Sequence, residues 1–242
     1  MCKVSVCMAT YNGALYLKEQ VDSIICQLGE EDELIVSDDG STDRTIDILK
    51  SYNDSRIKIF KNTNKKGVVG NFENALVKAK GEYIFLSDQD DVWIDDKVKR
   101  CVEELEKVDL VVTDCYVTDS GLNIINDSFF RERGSRKGFI KNLIKNTYLG
   151  ACVAFRSSVL EYVLPIPEKL PVYHDGWICS LADILGKVSF IQYRGLYYRR
   201  HEANVSFTAH KSKLSIYRQF RYRVIFLGMV INRLIKYNGN KK

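Results

Sequence analysis

Two acidic clusters carry the densest chemistry in the chain: Asp38-Asp39-Gly40-Ser41 and Asp88-Gln89-Asp90-Asp91. Each follows a short apolar run, ELIVS at 33–37 and YIFL at 83–86. Carboxylates gathered in one cleft lose hydration and repel each other, so they need a cation or several hydrogen-bond donors. A hard divalent cation meets that need. Mg2+ or Mn2+ prefers carboxylate, water and phosphate oxygens and often takes only one or two protein carboxylates. Either cluster alone also reads as helix caps and turn formers, which Asp favours. Two clusters, each directly behind an apolar strand, favour the cation.

The elements that must position these carboxylates are legible as alternating strand and helix patterns. Strands are expected at 4–9, 33–37, 56–60, 83–86 and 110–113. Helices carry Leu17, Val21, Ile24, Ile25 and Leu28, then Ile46, Leu49 and Tyr52 behind a Ser41 or Thr42 cap, then Phe72, Leu76 and Ala79 stopped by Gly81, then residues 95–107. Such alternation predicts an α/β fold with a parallel sheet, and these sheets take ligands at the carboxyl ends of their strands. The second half is less regular. Residues 131–137 (RERGSRK) read as a mobile loop, 139–144 as a helix and 152–155 as a strand. The three prolines Pro165, Pro167 and Pro171 bracket an extended loop, before a helix at 177–185 and strands at 188–191 and 196–198.

Rival α/β chemistries lack their motifs. The place of a dinucleotide-binding G-x-G-x-x-G holds Thr10-Tyr11-Asn12-Gly13, and no G-x-x-x-x-G-K-[ST] occurs. A phospho-receiver domain would carry its Asp pair after the first strand.

VSVCMATYNG, IVSDDGSTD and GEYIFLSDQDD, in this order and spacing, resemble the inverting nucleotide-sugar glycosyltransferases of family 2. That family has the GT-A fold, a Rossmann-like, mixed, mostly parallel sheet flanked by helices. The resemblance covers residues 3 to about 207 and implies a GT-A domain over 1–207, with a nucleotide-binding half to about 118 and an acceptor half at 119–207. It implies that Ala9, Thr10 and Tyr11 form the first nucleotide-contacting loop. Asp39, with Asp38 beside it, matches the position that hydrogen-bonds a pyrimidine base. A carboxylate there accepts from the N3–H of uracil or thymine and rejects cytosine, which lacks that donor. Asp88-Gln89-Asp90 matches the D-x-D element that holds metal, ribose and diphosphate, with Asp90 the first choice for direct ligation and Asp88 beside it.

Further along, His174-Asp175-Gly176-Trp177 sits where family members carry a general-base carboxylate at a helix start, which implies that role for Asp175. Residues 197–205 (YYRRHEANV) resemble a Y-R-x-H-x-x-N-V stretch, and together with H-D-x-W this is similar to the rhamnosyltransferase-like branch. Arg199, Arg200 and His201 are then expected near the diphosphate. Residues 148–152 (YLGAC) resemble a small-residue turn near the acceptor. Plain structural roles compete: packing for Trp177, a hydrogen-bonded ring for His201, a helix cap for Asp175.

The implied activity is inverting transfer from a UDP- or dTDP-sugar, dTDP-rhamnose among the candidates, to a hydroxyl of a glycan or lipid-linked acceptor in cell-surface polysaccharide synthesis, with Mg2+ or Mn2+. A sugar-1-phosphate nucleotidyltransferase is an alternative, but its Gly-rich basic loop after the first strand is missing. A catalytically silent carbohydrate-binding relative is the other.

Composition fits a globular chain of 242 residues, with 45% hydrophobic and 28% charged residues. Seven cysteines without a C-x-x-C argue for buried thiols in a reducing, cytoplasmic setting. MCKVSVCMATYNG shows no signal-peptide pattern, and the longest apolar run, 224–231, is too short for a membrane span. Five Lys and four Arg follow residue 209 with no carboxylate, so the rest of the chain is acidic against a net charge of +5. Leu214, Tyr217, Phe220, Val224, Leu227 and Ile231 recur at helical spacing among these cations. A basic amphipathic helix over 208–242 is expected, packed on the domain or lying on an anionic membrane surface. Nucleic acid is the weaker reading of the same charges.

Overall fold

The computed structural model describes residues 3–63, 65–201 and 215–239. The alternating half gives β1 (Val4–Thr10), α1 (Leu17–Ile25), β2 (Glu33–Asp38), α2 (Thr45–Ser51), β3 (Ile57–Lys61), α3 (Val68–Leu76) and β4 (Tyr83–Ser87). Then come β5 (Val92–Trp93), α4 (Lys97–Leu105), β6 (Leu110–Thr118), β7 (Ile124–Asn126), α5 (Phe129–Arg133), α6 (Phe139–Ile144), β8 (Val153–Arg156), α7 (Leu160–Val163), α8 (His174–Leu185), β9 (Val188–Arg199) and α9 (Ile216–Gly239).

Among the described residues, nine strands form one mixed sheet in the order β3-β2-β1-β4-β8-β6-β9-β5, with β7 on β6. β2 and β4 pair with β1 in parallel, and β3 with β2. β8 enters antiparallel to both β4 and β6. Every residue of β2 and β4 is buried, because helices cover both faces of the sheet. The chain leaves β1 toward β2 and β3, then returns to the other flank of β1 as β4. That reversal opens a crevice beyond the carboxyl ends of β1 and β4, where open α/β sheets take ligands.

Several local expectations are corrected. Ser41 and Thr42 do not cap α2, whose N-cap is Arg44 without a side-chain bond; Ser41 turns back to Asp38 instead. The two expected C-terminal strands are one, since β9 follows β6 across irregular register between Thr113 and Tyr116. The 131–137 loop is partly helical: Arg131–Arg133 close α5, pinned by buried Phe129 and Phe130. β5 was not foreseen; two residues pair with β9 and bring Asp90 and Asp91 beside it.

Gly81 does not stop α3, which ends at Leu76. Its smallness serves a close approach. A Cβ there would lie 2.5 Å from the Ser5 backbone nitrogen and 2.7 Å from the Val4 carbonyl carbon. Gly81→Ala is therefore expected to destabilise the fold by about 1–3 kcal/mol. A urea titration should show a lower midpoint at unchanged slope; an unchanged midpoint would mean that β1 moves aside freely.

The basic C-terminal helix is docked through one face only. Phe226 and Val230 are buried, and Phe226 meets Trp177 edge-on at 6.2 Å between centroids. Arg233 donates to the carbonyls of Tyr162, Leu164 and Pro165. Of the expected apolar stripe, Tyr217, Phe220, Val224 and Ile231 are exposed and Leu227 is half-buried, so the stripe is not the packed face. Leu214, at the start of that stripe, and Glu202 to Val205 lie outside the described residues. No described helix is long and apolar enough to cross a membrane. The described cysteines are free thiols, five buried and Cys26 exposed.

Candidate active site

The crevice is floored by the ends of β1 and β2. Thr10 pairs with Asp38 across the two strands. Ala9 is half-buried, Thr10 buried and Tyr11 58% exposed. Asp38 is buried and saturated. One oxygen accepts the N–H groups of Gly40 and Ser41, and the other accepts the hydroxyls of Thr10 and Ser41. Gly40 turns at a φ of +92°, which favours glycine. Asp38 thus shapes the turn that presents its neighbour. Asp39 accepts from the Asn62 amide at 2.9 Å through one oxygen and from the Gly67 N–H at 2.8 Å through the other. Each oxygen keeps a second lone pair for a further donor.

The other wall is the end of β4. Gln89 grips the β1 loop in both directions: its carbonyl accepts the Tyr11 N–H at 2.9 Å and its amide donates to the Tyr11 carbonyl at 3.1 Å. A Cβ at Gly13 would fall 2.3 Å from that Gln89 oxygen, so the grip needs glycine there. Gln20 donates to the Ser87 hydroxyl and to the Asp88 carbonyl, fixing the strand end. Neither Gln was singled out by sequence reasoning. The Gln inside D-Q-D was the visible signal, whereas Gln20 looked like any polar helix position.

The three aspartates that follow β4 occupy different environments. Asp90 Oδ2 lies 2.9 Å from His201 Nε2. Asp91 is wholly buried, accepts the Arg199 N–H at 3.0 Å through Oδ1 and, among the described residues, has no partner at Oδ2. Burial first, then Asp90 and Asp88, push its carboxyl well up, which favours the neutral acid. Asp88 is also pushed up, by burial first and then by the charges of Asp90 and Asp175, with Lys97 opposing. Lys97 is itself 1% exposed, donates to the Ala151 carbonyl at 2.7 Å and lies 4.0 Å from the Trp93 ring centroid. This buried cation behind the acidic cluster was invisible in the sequence, where it reads as one Lys of a charged helix.

Asp175 comes from the first turn of α8 and is nearly buried. It accepts from the N–H of Gly176 at 2.7 Å, and the Gly150 N–H also stabilises the carboxylate. Burial outweighs these donors and raises its carboxyl to about 6. Gly150, in the short turn before β8, passes so close that a Cβ would sit 3.4 Å from the Asp175 Cβ and 3.2 Å from His174 Nε2. The small-residue turn expected near the acceptor thus packs on the carboxylate expected to be the base. His174 stacks on Phe72 at 3.7 Å between centroids. Trp177 is buried and donates to the Val163 carbonyl, a packing role.

Arg199 and Arg200 do not present their guanidinium groups as expected. Arg199 is 3% exposed, donates to the carbonyls of Asp90 and Ser120 and to the Glu19 carboxylate, and stacks over Tyr16. It braces the acidic loop from behind. Arg200 pairs with Glu132 of α5. His201 meets the Asp90 carboxylate of the D-Q-D triplet.

Among the described residues no three His, Cys, Asp or Glu side chains converge as a closed metal site. The donor set nonetheless suits Mg2+ or Mn2+. Asp90 presents a carboxylate oxygen beside an imidazole, and the ionisation of Asp88 is opposed by burial and then by the Asp90 and Asp175 carboxylates, an opposition that a cation would relieve. Such ions complete their shell with water and phosphate oxygens.

Comparisons with known proteins agree with this geometry. Residues 5–164 match the family described as Glycosyl transferase family 2. The chain is 30% identical to the dTDP-rhamnosyl transferase RfbG of Shigella flexneri, over 89% of this chain and 81% of that one. It is 38% identical to WfaP of Escherichia coli, a UDP-Glc:alpha-D-GlcNAc-diphosphoundecaprenol beta-1,3-glucosyltransferase, over 47% of this chain and 46% of that one. Its fold matches S. aureus TarS 1-349 in complex with UDP-GlcNAc, with a TM-score of 0.70 at 22% identity, over 93% of this chain and 66% of that one. The chain therefore spans less than two thirds of the length of WfaP and of the TarS fragment. With the sheet reversal, the D-Q-D strand end and a family match over most of its length, the chain belongs to glycosyltransferase family 2 and has the GT-A fold.

Proposed function

We propose that the chain moves a sugar, with inversion, from a UDP- or dTDP-sugar to a hydroxyl of a glycan or lipid-linked saccharide during cell-surface polysaccharide assembly. One observation carries the reading: the turn at Gly150–Cys152 packs on Asp175 through Gly150 and holds Lys97 through the Ala151 carbonyl at 2.7 Å, which brings the first turn of α8 and the buried Lys97 beside the D-Q-D strand end to one place, where burial, and then Asp90 and Asp175, push the Asp88 carboxyl up. That is the arrangement needed to hold a leaving diphosphate on one side and deprotonate a nucleophile on the other.

Asp39 accepts the N3–H of the pyrimidine, with Ala9, Thr10 and Tyr11 along the nucleoside. Asp90 and Asp88, with His201 beside Asp90, would hold Mg2+ or Mn2+. Such an ion supplies positive charge to the leaving diphosphate. Asp175 takes the proton of the acceptor hydroxyl, whose oxygen bonds to the anomeric carbon from the face opposite the leaving group. The bond from that carbon to the diphosphate oxygen breaks, and its electron pair leaves with the nucleoside diphosphate. RfbG's donor favours dTDP-rhamnose, and WfaP's acceptor favours a lipid diphosphate-linked sugar. Buried free thiols and a nucleotide-sugar donor favour action at the cytoplasmic side of the cell membrane.

The test is turnover of a donor panel by the full chain: UDP-glucose, UDP-GlcNAc, dTDP-rhamnose and GDP-mannose, read as nucleoside diphosphate released. A UDP- or dTDP-sugar should turn over and GDP-mannose should not. Pyrophosphate release from a nucleoside triphosphate and a sugar phosphate would instead favour the nucleotidyltransferase. Calorimetry should find UDP or dTDP bound at least about tenfold more tightly than CDP, a difference of about 1.4 kcal/mol for one lost hydrogen bond. Asp39→Ala should erase that preference; equal affinities in the unaltered chain would remove Asp39 from base recognition.

A further inference from the structure

The exposed apolar stripe of α9 has a neighbour. Tyr217, Phe220, Val224, Ile231 and Ile235 fall on one line of the helix, opposite the buried Phe226 and Val230. They are exposed by 74, 63, 52, 48 and 66%. On α6, Ile140 and Ile144 stand one turn apart and are exposed by 63 and 61%, beside the exposed Lys141 and Lys145. The opposite face of α6 turns inward through buried Asn142 and half-buried Phe139 and Leu143. The two helices adjoin: Arg223 donates to the Ile144 carbonyl at 2.6 Å. A cavity of about 90 Å³ in their seam is lined by Asn142 and Leu143 from α6 and Tyr222 and Phe226 from α9.

The charge of both helices has one sign. Residues 131–145 hold six Lys and Arg against a single carboxylate, Glu132, which is paired with Arg200. α9 holds none. A second copy of this chain on the face would set basic surface against basic surface, which opposes association. An anionic bilayer surface answers both the charge and the apolar side chains.

We propose that α6 and α9 together form a docking surface for an anionic bilayer, with Ile140 and Ile144 entering the headgroup region alongside Tyr217, Phe220 and Val224 while the flanking Lys and Arg meet lipid phosphate. The sequence pointed to the C-terminal helix only; α6 is a second anchor. The surface is independent of the sugar-transfer reading, and its test contains no nucleotide.

The full chain is floated with vesicles of phosphatidylcholine alone and of phosphatidylcholine containing phosphatidylglycerol. It should float with the anionic vesicles at low salt and much less at high salt. Ile140→Ser with Ile144→Ser should lower the partition coefficient about tenfold, as expected for losing the partial burial of two Ile side chains. Phe220→Ser with Val224→Ser should do at least as much. All four side chains are exposed, so circular dichroism and melting should be unchanged and a loss of flotation is not a loss of fold. Unaltered flotation of the α6 variant would overturn the second anchor. Equal flotation with neutral vesicles would overturn the anionic partner. Absent flotation, with a concentration-dependent dimer that the α9 variant disperses, would give the surface to a second copy.

Discussion

Asp175→Asn is expected to lower sugar transfer by about 10²–10⁴-fold while leaving nucleotide-sugar affinity unchanged. The amide oxygen can still accept from the Gly176 N–H, which the carboxylate now does at 2.7 Å, so the first turn of α8 keeps its geometry. What is lost is the ability to take a proton. Burial raises this carboxyl to about 6, so its base form is complete only above that pH. Transfer at saturating substrate should therefore be flat above about pH 7 and fall through pH 6 in step with the ionised fraction. Acid weakens the reaction because the proton occupies the site that must receive the acceptor's proton. Asp175→Glu should restore part of the rate, and Asp175→Asn should lose the inflection. Transfer by Asp175→Asn near the original rate would make Asp175 a helix cap and move the base elsewhere.

The parts of this site that were legible in the sequence are those set by short stretches. β1, β2 and β4 are apolar runs buried on both faces, and each ends at polar residues, so strand and candidate site loop were visible together. The D-Q-D triplet announced its acidity. It did not announce that its last residue and the aspartate after it part company, Asp90 toward His201 and Asp91 into the core.

That division depends on β5 and β9, which pair across about a hundred positions of chain. Arg199 illustrates the same limit. Its arginine pair after a tyrosine-rich strand reads as phosphate chemistry, yet its guanidinium reaches Glu19, 180 residues away in sequence, and the backbone of Asp90. A long, rigid cation fits such a brace as well as it fits a phosphate. Periodicity carries no information on which it does. The C-terminal helix fails differently. Its stripe was read correctly as apolar, but α9 has two apolar sides, and the one carrying Phe226 and Val230 had the core to pack against.

The second large loss is expected at Asp90, and the comparison with Asp91 makes it diagnostic. Both are aspartates beside each other, and both would lose the same charge on replacement by Asn. Asp90 presents its carboxylate to His201 at the crevice, where a bound divalent cation would bring positive charge that an anion balances and a neutral amide does not. Asp90→Asn should lower transfer by roughly two to three orders of magnitude, the scale of removing one preorganised electrostatic contact from a leaving group. It should also abolish nucleotide-dependent uptake of Mn2+, measured by calorimetry with UDP present and no acceptor. Asp91, by contrast, is buried with its carboxyl pushed toward the neutral form, and its bonded oxygen accepts the Arg199 N–H as an amide oxygen would. Asp91→Asn should therefore stay within about tenfold of the unaltered rate, since little charge is removed and the bond to Arg199 survives. Chelation by EDTA should silence the unaltered chain and added Mn2+ or Mg2+ restore it. Full activity in excess EDTA would remove the metal from the reaction, and loss of Mn2+ by Asp91→Asn rather than Asp90→Asn would reverse the division of labour between these two carboxylates.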